Sequence, residues 1–147
     1  MAEIALQALY KAVDARLEAA GANFGNRVTV SVAPSNKSGQ WPYPYVIQFW
    51  QSGGEDNSLT TQDARFIIGV KCVGDFADAF RGAAAISAAL NDKGVQDDPD
   101  DFLNGGTDWD ILTCTENDAI FIVEQLSDSE IVYHVGASYD VVMVVSS

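Results

Sequence analysis

Basic residues are scarce in this chain. Its 147 residues include 8 Lys and Arg against 21 Asp and Glu, which gives a net charge of −13. A surface with so few cations repels nucleic-acid phosphates and anionic lipid headgroups. The composition therefore argues against specific nucleic-acid binding through a basic groove and against binding to membrane surfaces. It favours protein partners.

Long apolar runs are missing as well. No window approaches the ~20 apolar residues that span a bilayer, and the first residues lack the basic stretch and apolar run of an export signal. We therefore expect a soluble protein with no membrane segment. Hydrophobic residues still make up 48% of the chain, enough for one core, and the length favours a single domain over 1–147.

Histidine and cysteine are too few for most catalytic or metal-binding constellations. His134 is the single histidine, and Ser138 on the same predicted strand face lies about 13 Å away at the rise of an extended strand. A catalytic partner for His134 elsewhere in the chain stays an alternative. We favour a histidine that forms a hydrogen bond with a neighbouring residue and has no catalytic role. Cys72 and Cys114 fall in predicted strands, where we expect buried free thiols rather than a disulfide. We expect no enzyme, no cofactor and no catalytic residue.

The acidic residues are concentrated in one segment. A loop at about 91–108 is rich in Asp, Asn and Gly, which predicts an exposed surface. Its carboxylates could hold a hard cation, but Phe102 takes a position where a calcium-binding loop needs a ligand. A solvated electrostatic surface is favoured, and a weak Ca²⁺ or Mg²⁺ site or a metal-dependent nuclease stays as an alternative.

Crowding within this acidic segment has an expected consequence for stability. Like charges close together disfavour one another's ionised forms. Neutralising four of them by substitution with Asn should then leave the melting temperature unchanged or raise it. The four residues are Asp97, Asp98, Asp100 and Asp101.

Apolar periodicity predicts two helices and six strands. The first helix runs from Glu3 to about Ala20, and the second from Asp75 to Leu90, with Asp75 as N-cap. The order α-β-β-β-α-β-β-β indicates an α+β domain with a mixed or antiparallel sheet and both helices packed on one face. The strands are RVTVSV, YPYVIQFW, ARFIIGVKCV, WDILTCTE, AIFIVEQL and IVYHVGASYDVVMVV. The stripe of the second helix that we expect to pack on the sheet is Phe76, Ala79, Phe80, Ala83, Ile86 and Leu90.

Aromatic residues gather around the second strand, which a polar loop from 51 to 61 follows. Tyr45, Ile47 and Phe49 alternate with Val46 and Trp50, so this strand has apolar side chains on both faces. Both faces of the strand therefore need other residues packed against them. We expect the first helix or another subunit to pack on one of the two faces. Trp and Tyr are favoured interface anchors. The candidate interface residues are Trp41, Tyr43, Trp50, Gly53, Gly54, Glu55 and Asp56.

The order and spacing of several segments resemble a known family. They are an N-terminal helix with Ala8-Leu9-Tyr10, the segment Pro44-Tyr45-Val46-Ile47, a long hairpin, an Ala-rich helix, and Tyr133-His134-Val135 in a terminal strand. This arrangement is similar to the tail terminator, or tail completion, proteins of long-tailed bacteriophages. The resemblance covers most of the chain.

The resemblance implies a structural virion protein without catalysis. Such a protein forms a hexameric ring, caps the tail tube and joins the tail to the head connector. The implied partners are copies of itself, the tail tube protein and the head–tail connector proteins, in the virion and, during assembly, in the host cytoplasm. DNA would pass through the ring without specific binding. Another neck or tail-tube component and, less favoured, a metal-binding enzyme are the alternatives.

Overall fold

The computed structural model describes residues 3–25, 27–30, 43–57 and 62–146. Within these ranges the chain forms two helices and five strands, with a short 3-10 helix at Gly21–Phe24. The elements are α1 (Ala5–Ala19), β1 (Val28–Val30), β2 (Tyr45–Asn57), β3 (Gln62–Gly74), α2 (Phe76–Leu90), β4 (Trp109–Ser127) and β5 (Glu130–Val145).

The five strands form one mixed sheet in the order β1-β2-β3-β5-β4. β1 pairs with β2 in parallel, and the remaining neighbours are antiparallel. Both helices pack against this sheet, so the predicted α+β class is confirmed. The predicted N-cap is also confirmed, because the carboxylate of Asp75 accepts a hydrogen bond of 2.8 Å from the backbone N–H of Asp78. No helix in the described ranges is long and apolar enough to cross a membrane.

The main core lies between the sheet and the two helices. α1 contributes Leu9, Val13 and Leu17, and α2 contributes Ile86 and Leu90, all fully buried. The strands alternate, so that every second residue of β3 and β5 faces the helices. These strand residues are Ala64, Phe66, Ile68, Val70, Cys72, Ala137, Tyr139, Val141 and Met143.

The two cysteines are buried free thiols, as expected. Cys72 and Cys114 are fully buried, and burial raises the pKa of each thiol to about 12. Cys72 sits beneath α2 at Gly82, where a Cβ would meet its Sγ at 2.2 Å. The absence of a side chain at Gly82 is therefore what lets α2 approach the sheet here.

The strand prediction is wrong in one respect near the C-terminus. The segments WDILTCTE and AIFIVEQL form one strand, β4, instead of two. The polar residues Asn117 and Asp118 interrupt the alternation of apolar residues, and the sequence pattern there suggests a turn. The structure places a bulge between Glu116 and Ala119, after which pairing with β5 resumes.

The predicted polar loop from 51 to 61 is also corrected. Gln51–Asn57 continues β2 and pairs with β3 as far as the pair of Asn57 with Gln62. A bulge between Trp50 and Ser52 shifts the pairing register by one residue, and β2 continues beyond it. The rest of the predicted loop, 58–61, lies outside the described residues.

A third correction concerns the first turns of α2. Phe76 and Phe80 were expected in the core, yet their side chains are 58% and 41% exposed. Because α2 begins directly after β3, its first turns lie near the end of the sheet, beside the hairpin formed by β4 and β5. The deeper positions Ala79, Ile86 and Leu90 are buried as expected.

One buried polar residue carries a prediction for stability. Gln48 is fully buried, and within the described residues neither its amide nitrogen nor its amide oxygen has a hydrogen-bond partner. A buried amide without partners costs about 1–3 kcal/mol. We expect Gln48→Leu, which has a similar volume, to raise the free energy of unfolding by about 1 kcal/mol or more.

The measurement is chemical denaturation of the wild type and the variant. Gln96→Leu is the matched control, since Gln96 is exposed and its substitution should change stability little. A loss of stability in Gln48→Leu would show that the amide is satisfied in solution.

Candidate interaction surfaces

Four of the seven predicted interface residues line one groove. Trp50, Gly53, Gly54 and Glu55 surround a groove of about 290 Å³ together with Ile4, Leu6 and Phe66. The groove lies where the N-terminus of α1 crosses the far end of the hairpin formed by β2 and β3. Trp50 and Ile4 are about half exposed, at 49% and 51%. This α1 groove is therefore a concave, mostly apolar surface that is open to a partner.

Glu55 also has a structural role within the chain. Its Oε1 accepts a hydrogen bond of 3.0 Å from the backbone N–H of Ala5, the first residue of α1. Ile4 precedes the helix and supplies no side-chain cap. The carboxylate thus satisfies a free N–H at a helix N-terminus, where negative charge is favourable. Glu55 fixes the helix that forms one side of the groove.

The two glycines differ in what their backbone requires. Gly53 has φ +115°, and a Cβ there would meet the carbonyl oxygen of Arg65 at 2.0 Å. At Gly54 a Cβ would meet nothing within 4 Å. Gly53 is therefore required by the bulged backbone, whereas Gly54 pairs with Arg65 and leaves open space on the face of the sheet away from the helices.

Of the other three candidates, the structure describes the side chain of Tyr43 alone. Tyr43 is on the opposite face of the sheet, where its ring stacks on that of Tyr45 with 5.6 Å between centroids. Burial, reinforced by Glu130 and then Glu124, raises the pKa of Tyr43. Asp56 belongs to β2, and its side chain lies outside the described residues, as does all of Trp41.

β2 has apolar residues on both faces, as predicted. Val46 joins the main core, whereas Ile47 belongs to a smaller cluster on the other face with Val73 and Val132. Tyr43, Tyr45 and Phe49 pack against that cluster and are partly buried. The first helix therefore covers one face of the strand, and the second face is covered only in part by the described residues.

Sequence reasoning missed the most exposed apolar surface. Eleven large hydrophobic residues are exposed in the described ranges, and seven of them lie at the turn end of the β4–β5 hairpin or against it. We call these seven the hairpin patch: Phe76, Phe80, Phe121, Ile122, Val123, Leu126 and Ile131. The run AIFIV could have indicated this surface. Adjacent residues of a strand point to opposite faces, so a continuous apolar run places apolar side chains on both faces.

The helix-facing side of the hairpin patch is an ordered aromatic cluster. Phe76 and Phe80 have ring centroids 4.8 Å apart, and Phe80 lies 5.8 Å from Phe121. Tyr133 meets Phe76 edge to face at 5.3 Å. These distances are those of favourable aromatic pairs. The four rings therefore stabilise one another's positions within the chain.

His134 has a neighbour at one of its two ring nitrogens, and the other, Nδ1, is buried without a hydrogen-bond partner in the described residues. Its Nε2 lies 3.0 Å from Oε1 of Glu124 on the next strand. In the described part of the chain, no three His, Cys, Asp or Glu side chains are placed to hold a metal ion together.

The acidic segment is more firmly fixed than the sequence suggests. Backbone N–H groups of Val95 and Gln96 donate to carbonyls of β4, and the side chain of Leu103 is 1% exposed. The segment therefore covers the edge of β4 and contributes to the core, instead of lying wholly in solvent.

The crowding argument is wrong at Asp101. Its carboxylate accepts hydrogen bonds from Arg16 and, at 3.1 Å, from Lys93. These two cations lower the pKa of Asp101 to about 2, below its ordinary value of 3.8. The ionised form is thus favoured by cations from α1 and from the segment itself.

Comparison with known proteins gives one kind of match. Neither a protein-family model nor a curated protein matches the chain. Among solved structures, it is similar to a chain from the "Virion of native gene transfer agent (GTA) particle", with a TM-score of 0.67 and 20% identity. The match covers 99% of this chain and 100% of that chain. At this identity the likeness shows a shared fold.

The two glycines of the groove provide a matched pair of variants. We expect Gly53→Ala to lower the free energy of unfolding by about 1–3 kcal/mol, because the new Cβ meets backbone at a positive φ. Gly54→Ala should change it little, since the position is open. Thermal or chemical denaturation measures both. Equal effects of the two substitutions would contradict the assigned backbone.

A second prediction concerns Asp101 and pH. We expect Asp101→Asn to lower the melting temperature slightly at neutral pH, because the ion pairs with Arg16 and Lys93 are lost. Since the folded-state pKa is lowered, this stabilisation is present above pH 3.8 and is lost as the pH falls towards 2.

Melting temperatures of wild type and variant at neutral pH and near pH 3 check this. The difference between them should shrink at the lower pH. Asp100→Asn is the control, since Asp100 has no ion pair in the described residues. A variant that is more stable than wild type at neutral pH would restore the crowding argument.

Proposed function

We propose that this chain is a structural virion protein that caps the tail tube of a phage-like particle as a hexameric ring and joins the tail to the head connector. The observation that carries the proposal is the likeness to a chain from a gene transfer agent virion over 99% of this chain and 100% of that one. With such coverage, the shared fold extends over nearly the whole of both chains. The sequence resemblance to tail terminator proteins points in the same direction.

The surfaces of the chain support an assembly role rather than catalysis. The α1 groove and the hairpin patch expose large apolar side chains, and contiguous exposed patches of this kind mark interaction sites. The one histidine is engaged with Glu124, and the carboxylates of the acidic segment make contacts that fix the loop.

The charge of the chain is compatible with a ring around DNA. A net charge of −13 on each subunit would give a six-membered ring a strongly negative surface. Negative walls repel phosphates, so DNA would pass without adhering. The partners in this role are copies of the chain, the tail tube protein and the head–tail connector proteins.

Localisation in assembled particles tests the proposal. A C-terminal affinity tag, labelled with gold and imaged by electron microscopy, should mark only the junction between tail and head. Averaging of that junction should show one ring of six copies. The untagged particle is the control for non-specific labelling.

Other distributions would contradict the proposal in distinct ways. Label along the whole tail would identify a tube component. Label in the neck without contact with the tube would identify a connector component. A ring of another symmetry would contradict the proposed hexamer. Absence of the chain from purified particles would overturn the virion assignment itself.

A further inference from the structure

We propose that two free copies of this chain pair through the outer edge of β4, where residues 119–127 of one copy run antiparallel to the same residues of the other. The pairing joins identical edges across a two-fold axis, so it closes at two copies. It is therefore distinct from the head-to-tail contacts that build a ring, and it does not rest on the proposed function.

The open part of the edge is defined by what covers the rest of β4. This strand is the last of the sheet, with β5 on one side only. On the other side, backbone N–H groups of Asp92 and Gln96 donate to carbonyl groups of β4 or of a residue near them. Asn91 accepts a hydrogen bond from the N–H of Glu116. Beyond the bulge, from 119 to 127, no other backbone in the described ranges covers this edge.

The strand pairing shows which backbone groups of β4 face outward. Residues of an antiparallel strand alternate between bonding to the neighbouring strand and facing away from it. Glu116 faces away, because its N–H reaches Asn91, and it lies opposite Tyr139. Every second residue of β5 from Tyr139 towards the turn therefore lies opposite an outward-facing residue. After the bulge, the outward-facing residues are Ala119, Phe121, Val123 and Gln125.

This edge lacks the protection that sequences give to exposed strands. Lysine, proline and inward-pointing charges keep such edges from pairing. Residues 119–127 read AIFIVEQLS and include one charged residue, Glu124, which lies 3.0 Å from Nε2 of His134. A segment rich in β-branched and aromatic residues with little charge favours strand pairing. The sequence of the edge thus favours association with another strand.

Pairing at the edge covers apolar residues on both faces of the hairpin. Phe121 lies on the side of the helices, where it contacts Phe80, and Val123 shares that side. Ile122 lies on the opposite side. These faces are about equally exposed, at 53% for Phe121 and Val123 and 48% for Ile122. An added strand places cross-strand neighbours beside residues of both faces, so it fits this distribution.

The length of the open edge selects one register. With Ile122 opposite the same residue of the second copy, Phe121 lies opposite Val123, and both have outward-facing backbone groups. Ser127, the last residue of β4, then lies opposite Asn117. The partner strand therefore ends next to Glu116, where the acidic segment begins to cover the edge.

Charge favours the same register. The two neighbouring registers that also pair outward-facing residues bring like charges together. One places Asp118 opposite Glu124, and the other places it opposite Asp128. Like charges directly opposite each other are destabilising. With Ile122 on the two-fold axis, Asp118 lies opposite Leu126 and Glu124 lies opposite Ile120.

The size of the hairpin patch fits a dimer interface. Its seven members are between 41% and 58% exposed, so each offers roughly 90 Å², and the patch is on the order of 600 Å². Both copies contribute the same patch to a two-fold contact, which gives about 1,200 Å² in total. Stable, specific interfaces begin at about this size. The patch is therefore as large as a pair of copies needs.

A cysteine on the two-fold axis tests the pairing. Ile122 would face its own copy in a non-hydrogen-bonded pair, whose Cα atoms lie about 4.5 Å apart, within the range of a disulfide. Oxygen, with copper phenanthroline as catalyst, takes up the two electrons and two protons that two thiols release as the S–S bond forms, and is reduced to hydrogen peroxide. We expect Ile122→Cys in the purified chain to give a covalent dimer and no larger species.

The matched control is Leu126→Cys. Leu126 belongs to the same patch and is 47% exposed, close to the 48% of Ile122. In the proposed register, the two copies of residue 126 are about 27 Å apart along the strands, so no covalent dimer should form. The wild type controls for Cys72 and Cys114, which are buried.

Proline variants separate pairing of copies from folding. The N–H of Val123 faces outward, so Val123→Pro removes a hydrogen bond of the dimer and none of the sheet. In sedimentation over a concentration series, we expect the wild type to approach twice the 15.8 kDa of the chain. Val123→Pro should raise the dissociation constant by about tenfold or more. Ile122→Pro is the contrast, since its N–H bonds to β5, and it should lower the melting temperature more than Val123→Pro does.

Each other result would overturn the proposal. A wild type that stays monomeric at every concentration, or Ile122→Cys that gives no covalent dimer, would remove the contact. Equal trapping of Leu126→Cys would reject the register, and covalent species larger than a dimer would reject the two-fold axis. A dimer that Val123→Pro leaves unchanged would use another surface. Should Val123→Pro not fold, the comparison of Ile122→Cys with Leu126→Cys still decides.

Discussion

Strands β2 to β5 are longer than the helices that pack on them, and the exposed surfaces of the molecule depend on that mismatch. β4 has 19 residues and β5 has 16, whereas each helix has 15. An extended residue advances about 3.3 Å and a helical residue about 1.5 Å. Each helix is therefore roughly 22 Å long, whereas β4 and β5 reach more than twice as far, so parts of these strands lie beyond the length of a single helix.

The uncovered parts are the ones with the exposed apolar residues. The acidic segment covers one stretch of β4 by backbone hydrogen bonds, and the buried side chain of Leu103 anchors it to the core. The hairpin end extends past this segment, and the first turns of α2 contact it at Phe121 and Tyr133. In the proposed assembly another chain would bury these apolar faces, so the surface chemistry and the likeness to a virion chain support the same proposal.

Most of the fold could be predicted from sequence because its signals are local. The helix periods, the N-cap at Asp75 and the alternation along β5 each reside in a few neighbouring residues. The strand predictions were wrong where pairing with a strand that is distant in sequence decides whether a segment is extended. β3 supplies the pairing that extends β2 through Gly53, and β5 supplies the pairing that carries β4 past Glu116.

The candidate surfaces were predicted less completely for the same reason. Alternation shows that a strand has two apolar faces, but it does not show where along the strand a helix ends. Phe76 and Phe80 fit the apolar stripe of α2 and are nevertheless exposed, because the helix begins near the sheet's end. The groove residues were found because aromatic and glycine residues cluster in sequence, although Glu55 serves α1 as well as the surface.

The shortage of cations limits how copies of this chain can associate. In the described ranges, Lys11, Arg16, Arg81 and Lys93 already pair with carboxylates of their own chain, and Lys71 lies over the ring of Phe49. Few positive charges are left to attract a neighbour that carries the same net charge of −13. In the proposed ring, attraction between copies would then come from apolar burial, with net charge acting mainly as a repulsion that salt screens. The proposed ring would therefore form only where apolar surfaces fit closely enough to outweigh that repulsion.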